Sequence, residues 1–495
     1  MPYVVALDAG TSSCRAVLVD SFGKIAGYEQ LSFTSHHPLP GAVEQNPLEI
    51  VKALKSCIFK LVDKNRINPV EILAIGITNQ RETVVAWNKQ TGLPIHPAIV
   101  WNDRRELAVL ETLQNQEREV RAKTGLSLHP YFSAGKLWWI LQNVPNAKKL
   151  LKEEKLLVGT MGTWILSKLA IGSPHLIDES NAARTLLFNT KTLDWDNELL
   201  NMFSIPRSIL PEIRPTSTFF GMLDPEIVGK EIPILCMMGD QSASLFGHTC
   251  FEKYDTKITL GTGAFLLSNT KEERYAPQKG ILSSIGWHIE NEPVNYMVEG
   301  VVFAAGSAAI WLRDYLGLII EAEETESLAY SVRDNGGIIF VPSFQGMGAP
   351  YNIAEARGML LNLSLSTNIG HIVRALLEGI AHEVADIVEI LRKDLRIPIR
   401  QLRAGGGMSY NNFLLQTAAD MLDLSFSRST IREATAIGVA FAAGLQAGFW
   451  KSQKEIATLW SADQKFEPEI TPEVREAQRK KWQRASMLNQ TWNNE

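Results

Sequence analysis

At 495 residues the chain is too long for a single hydrophobic core, and its composition, 45% hydrophobic and 21% charged, is that of a globular protein of two to four domains. A net charge of −5 with both signs interspersed argues against nucleic acid as the main partner. No apolar run reaches the ~18 residues of a membrane span, and the start, Met1-Pro2-Tyr3-Val4, has no charged n-region, so neither a signal peptide nor membrane insertion is expected. Four scattered cysteines (Cys14, Cys57, Cys236, Cys250) form no metal-ligand pair and point to a reducing, cytoplasmic setting.

In chain order, Val4–Ala9 and Ala16–Asp20 read as two strands joined by a tight turn, Gly10-Thr11-Ser12-Ser13. Asn46-Pro47 reads as a helix cap with proline in the first turn, followed by one apolar face of Ile50, Val51, Leu54, Ile58, Leu61 and Val62. The apolar run Ile72–Thr78 predicts a central strand. It is followed by the polar segment Asn79-Gln80-Arg81-Glu82-Thr83, and Val84–Trp87 and Ala98–Trp101 are expected to continue a sheet. Ile232–Met237 predicts another buried strand, ending at Met238-Gly239-Asp240-Gln241. Past the middle, Ile258-Thr259-Leu260-Gly261-Thr262-Gly263-Ala264-Phe265 repeats the strand, Gly-Thr turn, strand pattern of the start. Helices are predicted over Gly300–Leu316, His371–Leu391, Asn411–Leu422 and Glu433–Ala447, the last so rich in Ala and Gly that it should pack against backbone. The basic stretch Arg475–Arg484 reads as a solvated helix face.

The repeated hairpin is the main functional signal. Glycine lets the backbone approach a ligand, and exposed N–H groups and hydroxyls can hold phosphate oxygens. Two copies, one per half, suggest two like domains gripping one nucleotide, with a boundary near Gly247–Lys253: an N-terminal domain over 1–247 and a C-terminal domain over 248–495. Asp8, beside the first turn, is suited to a metal ion directly or through water. Asp240, at the end of a buried strand, suits a general base for a substrate hydroxyl or, equally, a cap for a helix beginning at Ser242. Arg81 and Glu82 read either as a ligand-binding pair or as a surface ion pair. Trp101, Tyr131 and Phe265 could wall a pocket or fill the core. Cys14 is either a reactive thiol or a small residue chosen for fit. Gly405-Gly406-Gly407 before the Asn411 helix is a phosphate contact or a plain turn. With neither a Walker motif nor a protein-kinase glycine loop, the two hairpins remain as the phosphate-binding device of an ATP-dependent enzyme acting on a small hydroxylated molecule.

From Val4 to about Trp450 the chain resembles the FGGY family of sugar and polyol kinases. The resemblance is carried by Gly76-Ile77-Thr78-Asn79-Gln80-Arg81-Glu82-Thr83, Ile99-Val100-Trp101 with Arg104-Arg105, Tyr131-Phe132-Ser133 through Lys136, Trp139 and Asn143, Asn181-Ala182-Ala183-Arg184-Thr185, Gly239-Asp240-Gln241, Gly261-Thr262-Gly263 and Gly348-Ala349-Pro350-Tyr351. It implies an α/β, duplicated actin-like (ribonuclease H-like) fold with an interdomain cleft, and ATP:glycerol 3-phosphotransferase activity. By the same resemblance Arg81, Glu82, Tyr131 and Asp240 hydrogen-bond glycerol with Gln241 beside them, and Asp240 is the general base. Trp101 and Phe265 sandwich the carbon backbone. Thr11, Ser12 and Ser13, with Arg15 nearby, and Thr262 hold phosphates, while Gly306, Gly407 and Asn411 contact the nucleotide. Asp8 acts through Mg²⁺ by way of water, and the enzyme is a homodimer or homotetramer. Alternatives are a kinase for another small polyol or ketose (erythritol, dihydroxyacetone) and a non-catalytic ATP-dependent switch; joint retention of Asp8, Asp240, Arg81 and Glu82 argues against the switch.

Four positions depart from the family pattern: Ile310 stands for a Gln, Gly405 and Gly162 for Asp, and Asn362 for a glycine. They put nucleotide affinity and local stability in question more than the reaction. In Val228-Gly229-Lys230-Glu231 a carboxylate stands near the arginine with which some bacterial members bind fructose 1,6-bisphosphate. Like charge repels a bisphosphate. Titration of activity with that compound at physiological concentrations is therefore expected to give a flat line, and a saturable inhibition curve overturns this reading.

Overall fold

The computed structural model describes residues 2–276, 279–353 and 355–492. Two mixed sheets dominate it. The first contains β1 (Tyr3–Ala9), β2 (Ser13–Val19), β3 (Ile25–Ser32), β4 (Ile72–Asn79), β5 (Ser217–Met222) and β6 (Pro233–Gly239), in the order β5-β6-β4-β1-β2-β3. The second contains β7 (Thr256–Leu260), β8 (Ala264–Lys271), β9 (Leu282–Trp287), β10 (Asn295–Val302), β11 (Gln401–Gly405), β12 (Ser425–Ser429) and β13 (Ala462–Phe466), in the order β9-β10-β8-β7-β11-β12-β13. The helices that matter here are α1 (Pro47–Lys64), α2 (Asp240–Gly247), α3 (Gly306–Asp314), α4 (Ile369–Lys393), α5 (Asn412–Leu422), α6 (Ala434–Gln446) and α7 (Pro472–Trp492).

The duplication legible in the two Gly-Thr turns extends to the sheets. In each half an antiparallel hairpin, β1–β2 or β7–β8, is flanked on its first strand by a parallel neighbour, β4 or β11. The turns differ in length: four residues separate the paired Ala9 and Cys14, three separate Leu260 and Ala264. Helix α1 starts as its sequence requires, with the Asn46 side chain accepting from Leu48 N–H and Pro47 at the first position, and it buries Ile50, Val51, Leu54, Ile58 and Leu61.

Val84–Asn88 and Ala98–Ile99 do lie in a sheet, a four-stranded one separate from the first that they form with Glu44–Gln45 and Leu156–Thr160. One expectation fails. Gly300–Val302 is the end of β10, and the helix expected there begins only at Gly306. Small residues at 304–309 masked the boundary, because Ala and Gly carry little strand signal. Arg475–Arg484 is solvated on one face only: Trp482 is buried, and Arg479 pairs with Asp386 and Glu389 of α4.

One core cluster is built from both halves. Helix α6, from the second half, lies on β1, β4 and β6 of the first sheet, while α2, from the first half, contacts β8 and β9 of the second. Their shared cluster joins Val4, Val17 and Met238 to Leu267, Trp287 and Met297 through Phe246, Val439 and Phe441. The two helices touch backbone to backbone. A Cβ on Gly438 would lie 1.8 Å from Ala243 O, and one on Gly247 would lie 1.9 Å from Ala434 O. No side-chain rotation can relieve such a clash. Gly438→Ala is therefore expected to lower stability by about 3 kcal/mol or more, read as a drop in the urea midpoint; a midpoint equal to the parent's contradicts the close contact.

Candidate active site

The parallel strands β1, β4 and β6 end together, and the polar residues beyond them face the second sheet. Open α/β sheets place ligand sites at such strand ends. Arg81 and Glu82, in the turn after β4, are at most 2% exposed, so the surface-pair reading fails. Arg81 gives both terminal nitrogens to Glu299 of β10, Nη1 to Oε2 and Nη2 to Oε1, each at 2.9 Å. Glu82 receives Arg184 Nε at 2.5 Å, and Arg184 Nη1 reaches Glu299 at 3.4 Å. Arg81 Nε lies 3.8 Å from Glu82 Oε1, which closes a ring of four alternating buried charges. Burial raises the Glu82 carboxyl against its arginines; at Glu299 Arg184 and Arg81 win over burial and hold the carboxyl down to about 2. Glu82 also sits at φ +61°, a left-handed conformation that costs a non-glycine residue of order 1 kcal/mol.

Asp240 is the first residue of α2; Gly239 caps that helix without a side-chain hydrogen bond, and the Asp240 carboxylate is not its cap. It accepts from Gln241 N–H at 2.7 Å and faces Arg81 Nε at 3.2 Å. Burial raises its carboxyl above the usual range, against the pull of Arg81. A buried network sets its position. Gly239 N–H donates to Ser180 Oγ (2.9 Å), Ser180 Oγ–H donates to Asp178, and Asp178 also receives the Asn181 amide (2.6 Å). Asn181 in turn accepts from Asn79 Nδ2 at 3.0 Å. Gly239 must lack a side chain, since a Cβ there would meet Arg81 Cγ at 2.7 Å. Gln241 accepts at 2.9 Å from Lys257 Nζ, a fully buried amine of β7 that also donates to Thr259 Oγ1 at 2.7 Å. Burial pulls that amine down to about 7 against Glu299 and Asp240.

Trp101 and Tyr131 pack edge to face with centroids 5.5 Å apart, and Arg184 lies 5.3 Å over the Tyr131 ring. The Trp101 indole N–H donates to Thr11 Oγ1 at 3.0 Å, tying this wall to the first hairpin. Gln45 continues the link by donating to Thr11 O (2.7 Å) and accepting from Gln80 Nε2 (2.8 Å). Phe265 lies on β8 in the second half, opposite Val301. Asp8 pairs with Arg15 through Oδ2 at 2.8 Å, leaving Oδ1 without a hydrogen bond, and burial raises it to about 6 despite Arg15. Arg15 is thus occupied by Asp8, with Glu433 3.9 Å away. Thr11 and Ser12 are exposed at the turn and Ser13 is buried.

At the second hairpin Thr262 is exposed, and its carbonyl accepts from Ala305 and Ser307 N–H at 3.0 Å. Gly306 packs so closely that a Cβ would lie 2.7 Å from Gly261 O. Gly407 borders open space, whereas Asn411 caps α5 through Leu414 N–H and gives its amide to Thr325 (3.1 Å). The departures from the family pattern find local reasons. Asn362 takes the left-handed φ of +64° that asparagine tolerates. A Cβ on Gly405 would meet His248 at 2.7 Å, and one on Gly162 would meet Asn79 Oδ1 at 2.5 Å. Ile310 is 40% exposed on α3. Sequence reasoning missed Glu299, Lys257 and the pairing of Arg184; the signal available was a charged residue inside each apolar strand, Met297-Val298-Glu299 and Thr256-Lys257-Ile258.

Comparison with known proteins places the chain in a family. The profile of the FGGY family of carbohydrate kinases, N-terminal domain, matches residues 3–247, and that of the C-terminal domain matches residues 256–447. The chain is 44% identical to Glycerol kinase 2 of Thermotoga maritima, with 99% of both chains covered. It is 44% identical to the glycerol kinase of Carboxydothermus hydrogenoformans, with 99% and 98% covered. A crystal structure of Plasmodium falciparum glycerol kinase with ADP superposes with a TM-score of 0.92 at 32% identity, covering 99% of this chain and 98% of that one.

Cys14 is buried with its thiol donating to Ile50 O at 3.6 Å, and burial pushes that thiol up, so the reactive-thiol reading fails. All four cysteines are free and buried. A disulfide-exchange reagent is expected to find no thiol in the native protein and four after denaturation; one fast-reacting native thiol contradicts this.

Proposed function

The chain belongs to the FGGY family of carbohydrate kinases, and from that premise we propose that it transfers the γ-phosphoryl group of Mg-ATP to a terminal hydroxyl of glycerol, giving sn-glycerol 3-phosphate. The observation that carries the reading is Asp240: a carboxylate of raised proton affinity at the cleft, fixed by buried neighbours and 3.2 Å from Arg81 Nε. Full-length relatives named glycerol kinase support the choice of substrate.

In this reading Arg81, Glu82, Tyr131 and Gln241 hold the hydroxyls, and Trp101 and Phe265 cover the carbon chain from opposite halves. Asp240 accepts the proton of the terminal hydroxyl as its oxygen bonds to the γ-phosphorus. The bond from that phosphorus to the bridging oxygen breaks, and ADP departs. Thr11, Ser12, Ser13 and Thr262 give hydroxyls and turn N–H groups to the phosphates, Gly407 leaves room for the nucleotide, and Gly306, held against Gly261, contacts it. Asn411 serves it by holding the start of α5. Closure of the halves excludes water, which would otherwise compete for the phosphoryl group.

Among the described residues no group of three or more His, Cys, Asp or Glu could enclose an ion. A single carboxylate with one free oxygen, Asp8, fits Mg²⁺ carried on nucleotide phosphates and water, with Asp8 acting through a water. When bound, the ion would neutralise phosphate charge. No helix is long and apolar enough to cross a membrane among the described residues. A cytoplasmic homodimer or homotetramer completes the proposal, and light scattering measures the assembly.

Coupled detection of ADP should show turnover that requires glycerol and yields glycerol 3-phosphate in equal amount. A panel in which erythritol or dihydroxyacetone has the higher kcat/KM moves the substrate and keeps the mechanism. Asp240→Asn should lower kcat by about 10²–10⁴ with binding of a non-hydrolysable ATP analogue unchanged; surviving turnover removes the base assignment. A protonated Asp240 cannot accept, so kcat/KM should fall as pH is lowered. Because the carboxyl is raised, that fall should centre above the ordinary aspartate value of about 3.9.

A further inference from the structure

We infer that Glu299 is a positioning residue, which reaches across the cleft from the second sheet and fixes the orientation of Arg81, so that the polyol site is complete only when both halves contribute to it. This rests on the reading of Arg81 as a substrate ligand.

Glu299 is fully buried in the middle of β10, opposite Leu267 of β8 and two residues from the Val301 that faces Phe265. It is the one member of the four-charge ring that comes from the second half; Arg81, Glu82 and Arg184 all precede residue 248. Its two oxygens take both outer nitrogens of Arg81 in the parallel, two-point geometry that defines the plane of a guanidinium. That leaves Nε toward the cleft. Nε is buried and has no hydrogen-bond partner, although Asp240 Oδ1 is only 3.2 Å away. An unpaired buried donor is costly, and here it lies close to the carboxylate assigned to the chemistry without being aligned to bond it. Were Glu299 neutral, the outer nitrogens of Arg81 would be free to turn and grip Asp240 by the same two-point geometry, since nothing else in the ring holds that end of the side chain. Asp240 would then be occupied by an arginine instead of a substrate hydroxyl. The Arg81 stem has little freedom of its own, because it lies against Gly239, where even a methyl group would collide with it. Glu299 therefore holds Arg81 in place and keeps it off Asp240.

The test compares Glu299→Gln, Arg81→Gln and the double variant in the glycerol-dependent reaction. Glu299→Gln keeps the shape and removes the charge. Its KM for glycerol should rise at least tenfold while KM for ATP stays within twofold, a split that general loosening of the fold would not give. The double variant should lie within threefold of Arg81→Gln in kcat/KM for glycerol, because a residue that acts through Arg81 has nothing to add once Arg81 is gone. A double variant lower than Arg81→Gln by the full factor that separates Glu299→Gln from the parent overturns the proposal, as does a parallel rise in both KM values. If Glu299→Gln alone does not fold, the comparison of Arg81→Gln with the double variant, which loses one charge of each sign, still decides. An Arg81→Gln variant with unchanged kcat/KM for glycerol removes the substrate reading of Arg81 and the role of Glu299 with it; an Arg81→Gln variant that loses kcat/KM for glycerol while Glu299→Gln keeps the parent's leaves the substrate reading standing and overturns the role of Glu299.

Discussion

Four charges with no access to water must alternate in sign or leave. Burying a single carboxylate or guanidinium costs several kcal/mol even after relaxation, and only close opposite charges with good hydrogen-bond geometry offset it. The ring of Arg81, Glu299, Arg184 and Glu82 meets that condition with no net charge. Its consequence is structural: one carboxylate comes from the second half of the chain and three members from the first, so the halves must meet in one register for the ring to close. The neighbouring walls inherit that register. Tyr131 lies under Arg184, Trp101 against Tyr131, and the first phosphate hairpin against Trp101 through Thr11.

The same dependence sets the electrostatics of the cleft. Asp8 and Asp240 are raised and Lys257 is lowered chiefly by burial, each against a neighbour of opposite charge. A carboxylate that holds its proton more tightly than in water, beside an arginine that keeps it from neutralising altogether, is suited to taking a proton from a hydroxyl and giving it up again. Hydrogen bonds among Gly239, Ser180, Asp178 and Asn181 fix the position of Asp240 from behind the strand ends.

Much of this was legible in the sequence. The duplicated hairpin, the buried strands over Ile72–Asn79 and Pro233–Gly239, the Asn46-Pro47 cap and the α/β duplication follow from local pattern, where period and turn chemistry speak directly. The two like domains that the Gly-Thr turns suggested match the paired N- and C-terminal domains of the family, whose actin-like, ribonuclease H-like fold the resemblance implied. The failures share one cause. Gly300–Val302 looked helical because the small residues that follow at 304–309 carry no period to mark the boundary, and what keeps it in β10 is pairing with Ala264–Leu266. Arg81 and Glu82 were ambiguous because their partners stand up to 218 residues away. Lys257 and Glu299 gave only the bare oddity of a charge within an apolar run. Pairing at that distance is decided by tertiary packing, to which short-range pattern is blind.

The exchange of helices between the halves has a consequence for chain connectivity. Helix α2 leaves the first sheet to contact the second, α6 leaves the second to cover the first, and they meet without an intervening side chain. The segment between Gly247 and Thr256 joins two bodies that already share a core, and at its exposed tip, Glu252-Lys253, it buries nothing. Severed at that tip, the two halves would still be joined by the core they share and by the charge ring that Glu299 closes.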